Sequence, residues 1–258
     1  MTSPVLVTGG TGTLGRLVVP LLTGAGCEVR VLSRHRPGIG RATADVEYLT
    51  GDLRADQGIE AAVAGARTVV HLAGGPKGDD DAARNLVRAA SRAGVRHLVH
   101  ISVIGADRLP VGWLRSKLAA ERAVADSDVP WTTLRAAQFH DLVLTVAEKM
   151  AKLPVVPVPG GLRFEPVDAR DVASRLVELT LGGPAGLVPD LAGPRVYGMA
   201  ELLRGYLAAR GSRRLMMPIR LPGQAGRAYR AGENLARAGA TAGKRTWEEF
   251  LAERVRPR

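Results

Sequence analysis

The stretch SPVLVTGGTGTLGRLVVPLLTGAG, residues 3–26, constrains the fold of this chain more than any other. A short apolar, β-branched run stops at Gly9 and Gly10. Leucines and valines then recur at helical spacing until glycines end the run. A buried strand that turns tightly into a helix opens a βαβ unit. The same alternation continues downstream. Residues 27–34, 46–53, 67–75, 96–105 and 130–139 read as strands, and 58–66, 79–94 and 113–127 as helices. Strands separated by helices need crossover connections, which predicts a parallel sheet with right-handed crossovers. The strands are apolar almost throughout, as expected when helices cover both faces. The expected fold class is α/β, a doubly wound parallel sheet.

After residue 150 the rhythm loosens. Residues 153–168 are rich in Pro and Gly and read as extended. Helices are expected over 169–183, 199–211, 223–240 and 246–255, with a short strand over 186–194 and Asp171 as a candidate cap of the first helix. The chain is therefore expected to divide into a dinucleotide-type domain, 1–150, and a smaller C-terminal substrate lobe, 151–258.

The glycines carry the first chemistry. Gly10, Gly12 and Gly15 fit G-x-G-x-x-G, and Gly9, Gly12 and Gly15 fit G-x-x-G-x-x-G. Either pattern leaves no Cβ where a pyrophosphate approaches. The backbone of Thr11, Thr13 and Leu14 and the positive end of the next helix then face the phosphates. The strand before and the helix after supply the context that makes this a dinucleotide-binding, Rossmann-type reading. At the end of the second strand an Asp or Glu would bind the ribose 2′-hydroxyl and select NAD. The chain instead has Ser33-Arg34-His35-Arg36. A guanidinium grips a 2′-phosphate through paired hydrogen bonds that a carboxylate would oppose. Arg34 is the expected anchor, with Ser33 and Arg36 as helpers. The expected cofactor is NADP, with NAD kept open.

Charge and cysteine content bound the rest. The net charge is +11, and residues 203–258 hold thirteen Lys and Arg against four Asp and Glu. That face could attract an anionic ligand, a protein partner or a second copy of the chain. No helix-turn-helix, zinc-finger or aromatic RNA-binding pattern accompanies it, so nucleic acid is not expected. Cys27 is the single cysteine and the five histidines are scattered, which leaves no intrachain disulfide and no sequence-local metal motif. No apolar run approaches the roughly 20 residues that span a bilayer, and no basic leader precedes the first strand. The expected location is cytoplasmic.

Taken together these segments resemble the short-chain dehydrogenase/reductase superfamily, in its atypical NmrA-like and isoflavone-reductase-like branch. VTGGTGTLG is similar to the branch's opening fingerprint. GDL at 51–53 is similar to the segment that meets the adenine, which implies Asp52 and Leu53, and HLAGG at 71–75 to the segment beside the adenosine ribose, which implies Ala73 and Gly74. PVDARDVA at 166–173 and TWEEFLA at 246–252 also resemble NmrA-type segments. Ser102 matches the active-site serine position. WLRSK, residues 113–117, stands where Tyr-x-x-x-Lys would lie. The resemblance implies that Lys117 holds the nicotinamide ribose. It supplies no tyrosine, because Trp113 occupies that place, and an indole N–H donates a hydrogen bond but not a proton.

A positioned general acid or base contributes typically ~10²–10⁴-fold, whereas holding the reactants in contact supplies effective molarities of about 10⁵–10⁸ M. Loss of the tyrosine therefore handicaps a reductase without abolishing turnover. Ser102, Lys117 and His140 are candidate catalytic groups, His140 because its intrinsic pKa lies near neutrality, and Trp113 is a candidate cleft wall. For Ser102, Trp113 and His140 a purely structural role stays open. The expected function is an NADP(H)-dependent oxidoreductase that reduces a small organic carbonyl, enone or quinone. A non-catalytic NADP(H) sensor is the alternative, and an isomerase or epimerase ranks last.

Overall fold

The computed structural model describes residues 3–35, 46–75 and 77–256. In chain order the elements are β1 (Val5–Thr8), α1 (Gly15–Gly24), β2 (Val29–Ser33), β3 (Val46–Thr50), α2 (Ile59–Val63), β4 (Thr68–His71), α3 (Asp79–Arg92) and β5 (His97–Val103). They continue as α4 (Gly112–Ala125), β6 (Trp131–Ala136), α5 (His140–Met150), β7 (Val155–Pro159), β8 (Arg163–Phe164), α6 (Ala169–Leu181), β9 (Gly186–Leu187) and β10 (Leu191–Ala192). The last are β11 (Tyr197–Gly198), α7 (Met199–Ala209), β12 (Leu215–Ile219), α8 (Gly223–Ala231), β13 (Thr241–Ala242) and α9 (Trp247–Arg254).

The chain forms two compact units. The first comprises Met1–Ser102, Arg115–Leu134 and Ala173–Val188; the second comprises Val103–Leu114, Arg135–Val172 and Pro189–Arg258. This division differs from a single cut at residue 150, because the chain changes unit near the C-terminal ends of β5 and β6 and returns along α4 and α6.

The first unit carries the sheet order β6-β5-β4-β1-β2-β3, with β9 beside β6. The pairings β1–β2, β1–β4, β2–β3 and β4–β5 are all parallel. The order reverses beside β1, the switch point at which ligands bind outside the strand C-termini in such sheets. One face of the sheet buries Leu6, Val69 and Leu98 against Leu86 and Ala90 of α3 and Val124 of α4. At roughly 1.5–3 kcal/mol for each large apolar side chain fully buried, this cluster fixes which way the strands point, and so fixes the next inward-facing positions toward the strand ends.

The second unit has its own core of Tyr197, Leu202, Leu203, Trp247, Phe250 and their neighbours. Here β10 pairs with β13 and, at Leu191, with Ala136 at the end of β6. The strands β7 and β12 pair in parallel, and β8 and β11 antiparallel. The helix expected over 223–240 is shorter: α8 stops at Gly232, whose φ of 81° lies in the left-handed region that ends helices. Asp171 is not a cap. Asp168 fills that role, its Oδ1 accepting the Arg170 N–H at 2.8 Å, while Asp171 accepts the Lys244 and Arg245 N–H groups and pairs with the Arg245 guanidinium.

Candidate active site

At the end of β1 the chain turns through Gly9, which has φ 71°. The Gly12 N–H donates to the Gly9 carbonyl at 3.0 Å and the Arg16 N–H to the Gly12 carbonyl at 3.0 Å. Three of the four glycines are demanded by the fold itself. A Cβ at Gly9 would lie 2.6 Å from the Ala73 nitrogen, at Gly10 2.8 Å from a Val31 methyl, and at Gly15 2.3 Å from the Gly9 carbonyl oxygen. Gly12 is different. It is exposed, and its added Cβ would meet only the Gly9 oxygen at 3.3 Å. Helix α1 begins here with no acid in its first turn and no side-chain cap, so its positive end faces outward unneutralised, and a dinucleotide diphosphate fits that concavity. Thr11 is half-buried and Thr13 exposed, and Leu14 turns its side chain into the core.

Beyond β2, Arg34 is exposed and the Ser33 hydroxyl donates to the His35 carbonyl. The acid on the adjacent strand, Glu47, pairs with Arg30 at 2.6 Å. Arg36 lies outside the described residues. In the 51–53 segment, Asp52 Oδ1 accepts the Arg54 N–H at 2.8 Å, which commits that oxygen to its own turn. Leu53 is buried in the first unit's core, so its side chain points away from any ligand on the surface.

The C-terminal ends of the central strands carry a buried polar row. The register places Thr8 beside His71 and His71 beside His100. Thr8 Oγ1 and His71 Nδ1 are 2.7 Å apart, and the two imidazoles stack with centroids 5.2 Å apart. Burial, reinforced by the Lys117 ammonium, pushes the His71 pKa down to about 4. Burial first, then His71 and Lys117, hold the His100 imidazole well below its ordinary value. Ser102 follows on the same strand face. It is buried, and its Oγ has no hydrogen-bond partner among the described residues.

Against this row stands an ion pair. Lys117 Nζ on α4 lies 2.6 Å from Asp79 Oδ2 at the start of α3, with the two side chains only 15% and 7% exposed. Asp79 Oδ1 accepts the Gly75 N–H at 2.8 Å. Gly74 makes room for the lysine, since a Cβ there would lie 2.6 Å from Nζ. The structure thus brings Gly74, Lys117 and Ser102 into one unit with the glycine turn. It adds Thr8, His71, Asp79 and His100, which the sequence reading missed. The only signals were the acidic start of α3 and polar residues at strand ends.

The second unit holds the remaining candidates. Trp113, a turn before Lys117 on α4, is half-buried and packs with Leu109, Leu114, Ala228 and Tyr229. His140 lies in the interior of this unit. It is 0% exposed, enclosed by the rings of Trp247 and Phe250 at 5.7 and 5.1 Å, with Nδ1 3.9 Å from Asp168 Oδ2. An imidazole so enclosed offers no proton to a ligand, and burial holds its pKa below the ordinary value. Nearby, a cavity of about 110 Å³ is lined by Leu142, Val146, Phe164, Met199, Leu203 and the single polar residue Gln138. Gln138 Oε1 is buried without a partner among the described residues.

Among the described residues, no group of three or more His, Cys, Asp or Glu is placed to hold a metal, and no helix is long and apolar enough to cross a membrane.

Residues 9–180 match the model of the NAD(P)H-binding family. A curated relative, the (4-alkanoyl-5-oxo-2,5-dihydrofuran-3-yl)methyl phosphate reductase of Streptomyces griseus, is 32% identical over 201 residues, 76% of this chain and 70% of that one. The NAD(P)H azoreductase of Xenophilus azovorans is 30% identical over 214 residues, 80% of this chain and 74% of its own. Among solved structures, the NADPH complex of an Escherichia coli quinone oxidoreductase superposes with a TM-score of 0.82 at 18% identity, covering 96% of this chain and 99% of that one. The NADP(H) complex of Citrobacter triphenylmethane reductase gives 0.78 at 20%, covering 98% and 99%. With the cradle, the parallel sheet and the family match in agreement, the chain belongs to the NAD(P)H-binding family and has its Rossmann-type fold.

Proposed function

We propose that the protein is an NADPH-dependent reductase of a small, largely apolar carbonyl or quinone compound. When bound, the nicotinamide supplies a hydride; every other requirement falls on this chain. The turn from Gly9 to Gly15 would take the diphosphate on backbone N–H groups, with Thr11, Thr13 and Leu14 contributing main chain. Arg34 would take the 2′-phosphate and Ser33 assist once its hydroxyl leaves the His35 carbonyl. Asp52, through its second oxygen, and the backbone of Leu53 would border the adenine, and Ala73 and Gly74 the adenosine ribose.

The observation that carries the reading is the Lys117–Asp79 pair beside Gly74. A lysine gripped by a buried carboxylate is a fixed hydrogen-bond donor. That suits holding ribose hydroxyls and orienting the reacting ring, where positioning is worth more than proton transfer. The proton that balances hydride addition would then come from water or from Lys117, since neither the Ser102 hydroxyl nor His140 is exposed and Trp113 has no acidic proton. The cavity beside Gln138 supports an apolar group that carries one hydrogen-bond donor, such as a ring hydroxyl. The test is NADPH consumption with a panel of benzoquinones, naphthoquinones, enones and aldehydes. The reading expects turnover above the free rate with at least one quinone or enone and fails if there is none.

A second reading, a non-catalytic NADP(H) sensor, is favoured by Trp113 in the place of an acid. It expects different affinities for NADP⁺ and NADPH without turnover, because equal affinities shift no equilibrium. The single free cysteine, Cys27, suits a cytoplasmic setting for either reading.

A further inference from the structure

The reductase chemistry leaves a basic concavity of the second unit without a task. Helices α5, α7 and α9 all end at it, through Ala151, Arg210 and Val255. The cavity measures about 300 Å³, and Lys152, Arg210, Arg214, Arg254 and Arg256 line it together with the Ser212 hydroxyl.

Cations gather at helix C-termini for a structural reason, and part of this cluster has it. Arg210 Nη1 donates to the Arg256 carbonyl at 3.1 Å, and Arg214 Nε to the Ala151 carbonyl at 3.1 Å. The magnitudes decide how far that reason goes. Each helix end carries roughly −0.5 of a charge, so three ends offset about −1.5. Glu148 lines the cavity, and Asp141 stands 4.0 Å from Arg254. Five full positive charges against these leave a surplus between about one and two. Lys152, Arg210, Arg214 and Arg256 have no carboxylate within ion-pair distance among the described residues. By contrast, Arg170, Arg195 and Arg245 each face one. The two carbonyl bonds also hold the Arg210 and Arg214 guanidiniums in place. Arg210 keeps four of its five N–H donors for something else, and Arg214, whose Nη1 also donates to the Arg213 carbonyl at 2.8 Å, keeps three.

We propose that this concavity binds a small ligand with two or more adjacent anionic groups, of the diphosphate or polyphosphate class. Preorganised guanidinium forks match phosphoryl oxygens in pairs, and the volume lies at the small end of ligand sites. An extended nucleic acid would want aromatic stacking platforms. The one aromatic residue of the lining, Tyr206, is buried.

Titration calorimetry of the purified 258-residue chain with inorganic tripolyphosphate, and separately with orthophosphate, tests this. Saturable tripolyphosphate binding is expected, with orthophosphate at least tenfold weaker. The Arg210→Ala/Arg214→Ala variant should bind tripolyphosphate at least tenfold more weakly while keeping its NADPH affinity. If that variant fails to fold, Lys152→Glu/Arg256→Glu, whose side chains make no bond that holds the helices, should show the same loss. Absence of saturable binding, equal affinity in the folded variant, displacement of tripolyphosphate by stoichiometric NADPH, or tighter binding of a single-stranded oligonucleotide would each overturn the proposal.

Discussion

Lys117 Nζ and Asp79 Oδ2 stand 2.6 Å apart in a setting from which water is nearly excluded, and this pair ties α4 to the start of α3 beneath Gly74. Removing one partner of a buried pair typically costs about 3–5 kcal/mol, because the other charge stays buried. Asp79→Asn should therefore lower the melting temperature by about 6 °C or more, at roughly 2–4 °C per kcal/mol for a chain near this size. Lys117→Met removes charge without breaking the core. It leaves the Asp79 carboxylate, the more buried of the two, without its cation, so it should cost at least as much stability as Asp79→Asn and should also cut kcat/KM with NADPH at least a hundredfold. Thermal melts and steady-state kinetics on the two variants decide between a positioning clamp and a bystander.

The His71 imidazole predicts an acid limb of stability. Its folded pKa of about 4 lies below its ordinary 6.5. Between those values the unfolded chain binds a proton that the folded chain refuses. The contribution is therefore complete above about pH 6.5 and is lost as pH falls toward 4, up to about 3 kcal/mol from this one group. Denaturant unfolding at pH 7 and pH 4.5 should show the fall. In His71→Asn, which keeps a partner for Thr8, the difference should shrink measurably without vanishing, because burial also holds His97, His100 and His140 below their ordinary value. A pH dependence unchanged by the substitution would remove His71 from the account.

Gly12 and Gly15 should behave oppositely. Gly15→Ala would drive a methyl onto the Gly9 carbonyl, and the apoprotein should lose stability. Gly12→Ala meets no such wall and should melt within about 2–4 °C of wild type, a change near 1 kcal/mol. Its methyl should nevertheless weaken NADPH binding at least tenfold. If Gly12→Ala binds normally, the outer face of the turn is not where the diphosphate lies.

These contrasts mark how much was legible in the chain. The strand, glycine turn and helix of residues 3–26 depend on neighbours in sequence, so the cradle and the parallel sheet could be read directly. Asp79 could not be paired with Lys117, because only the packing of α3 against α4 brings them together. The same holds for Thr8, His71 and His100, which meet through strand register. The surroundings of His140 were illegible for a related reason. Its near-neutral intrinsic pKa made it a candidate, but Trp247 and Phe250 of α9, more than a hundred residues away in sequence, enclose it. Helix propensity carried 223–240 too far, since a single left-handed glycine, Gly232, ends α8.

Among the described residues Gln138 is the one polar group lining the 110 Å³ cavity, and its buried Oε1 lacks a partner there. Gln138→Leu should raise KM for a ring bearing a hydroxyl, whose O–H can donate to Oε1, about tenfold or more, the scale of one lost hydrogen bond of 0.5–1.5 kcal/mol plus an unpaired substrate group. The kcat should change less, and stability should hold or improve slightly because an unsatisfied group is removed. A fall in kcat with unchanged KM would place Gln138 outside substrate binding.

The most direct test is a binding titration of the purified protein with NADPH and NADH, repeated on Arg34→Ala. The account predicts saturable NADPH binding at least tenfold tighter than NADH, and a preference that collapses in the variant while NADH affinity stays constant, as expected for a charge-assisted bond of about 1.5–3 kcal/mol. Failure of NADPH to saturate, or a preference indifferent to Arg34, would contradict it.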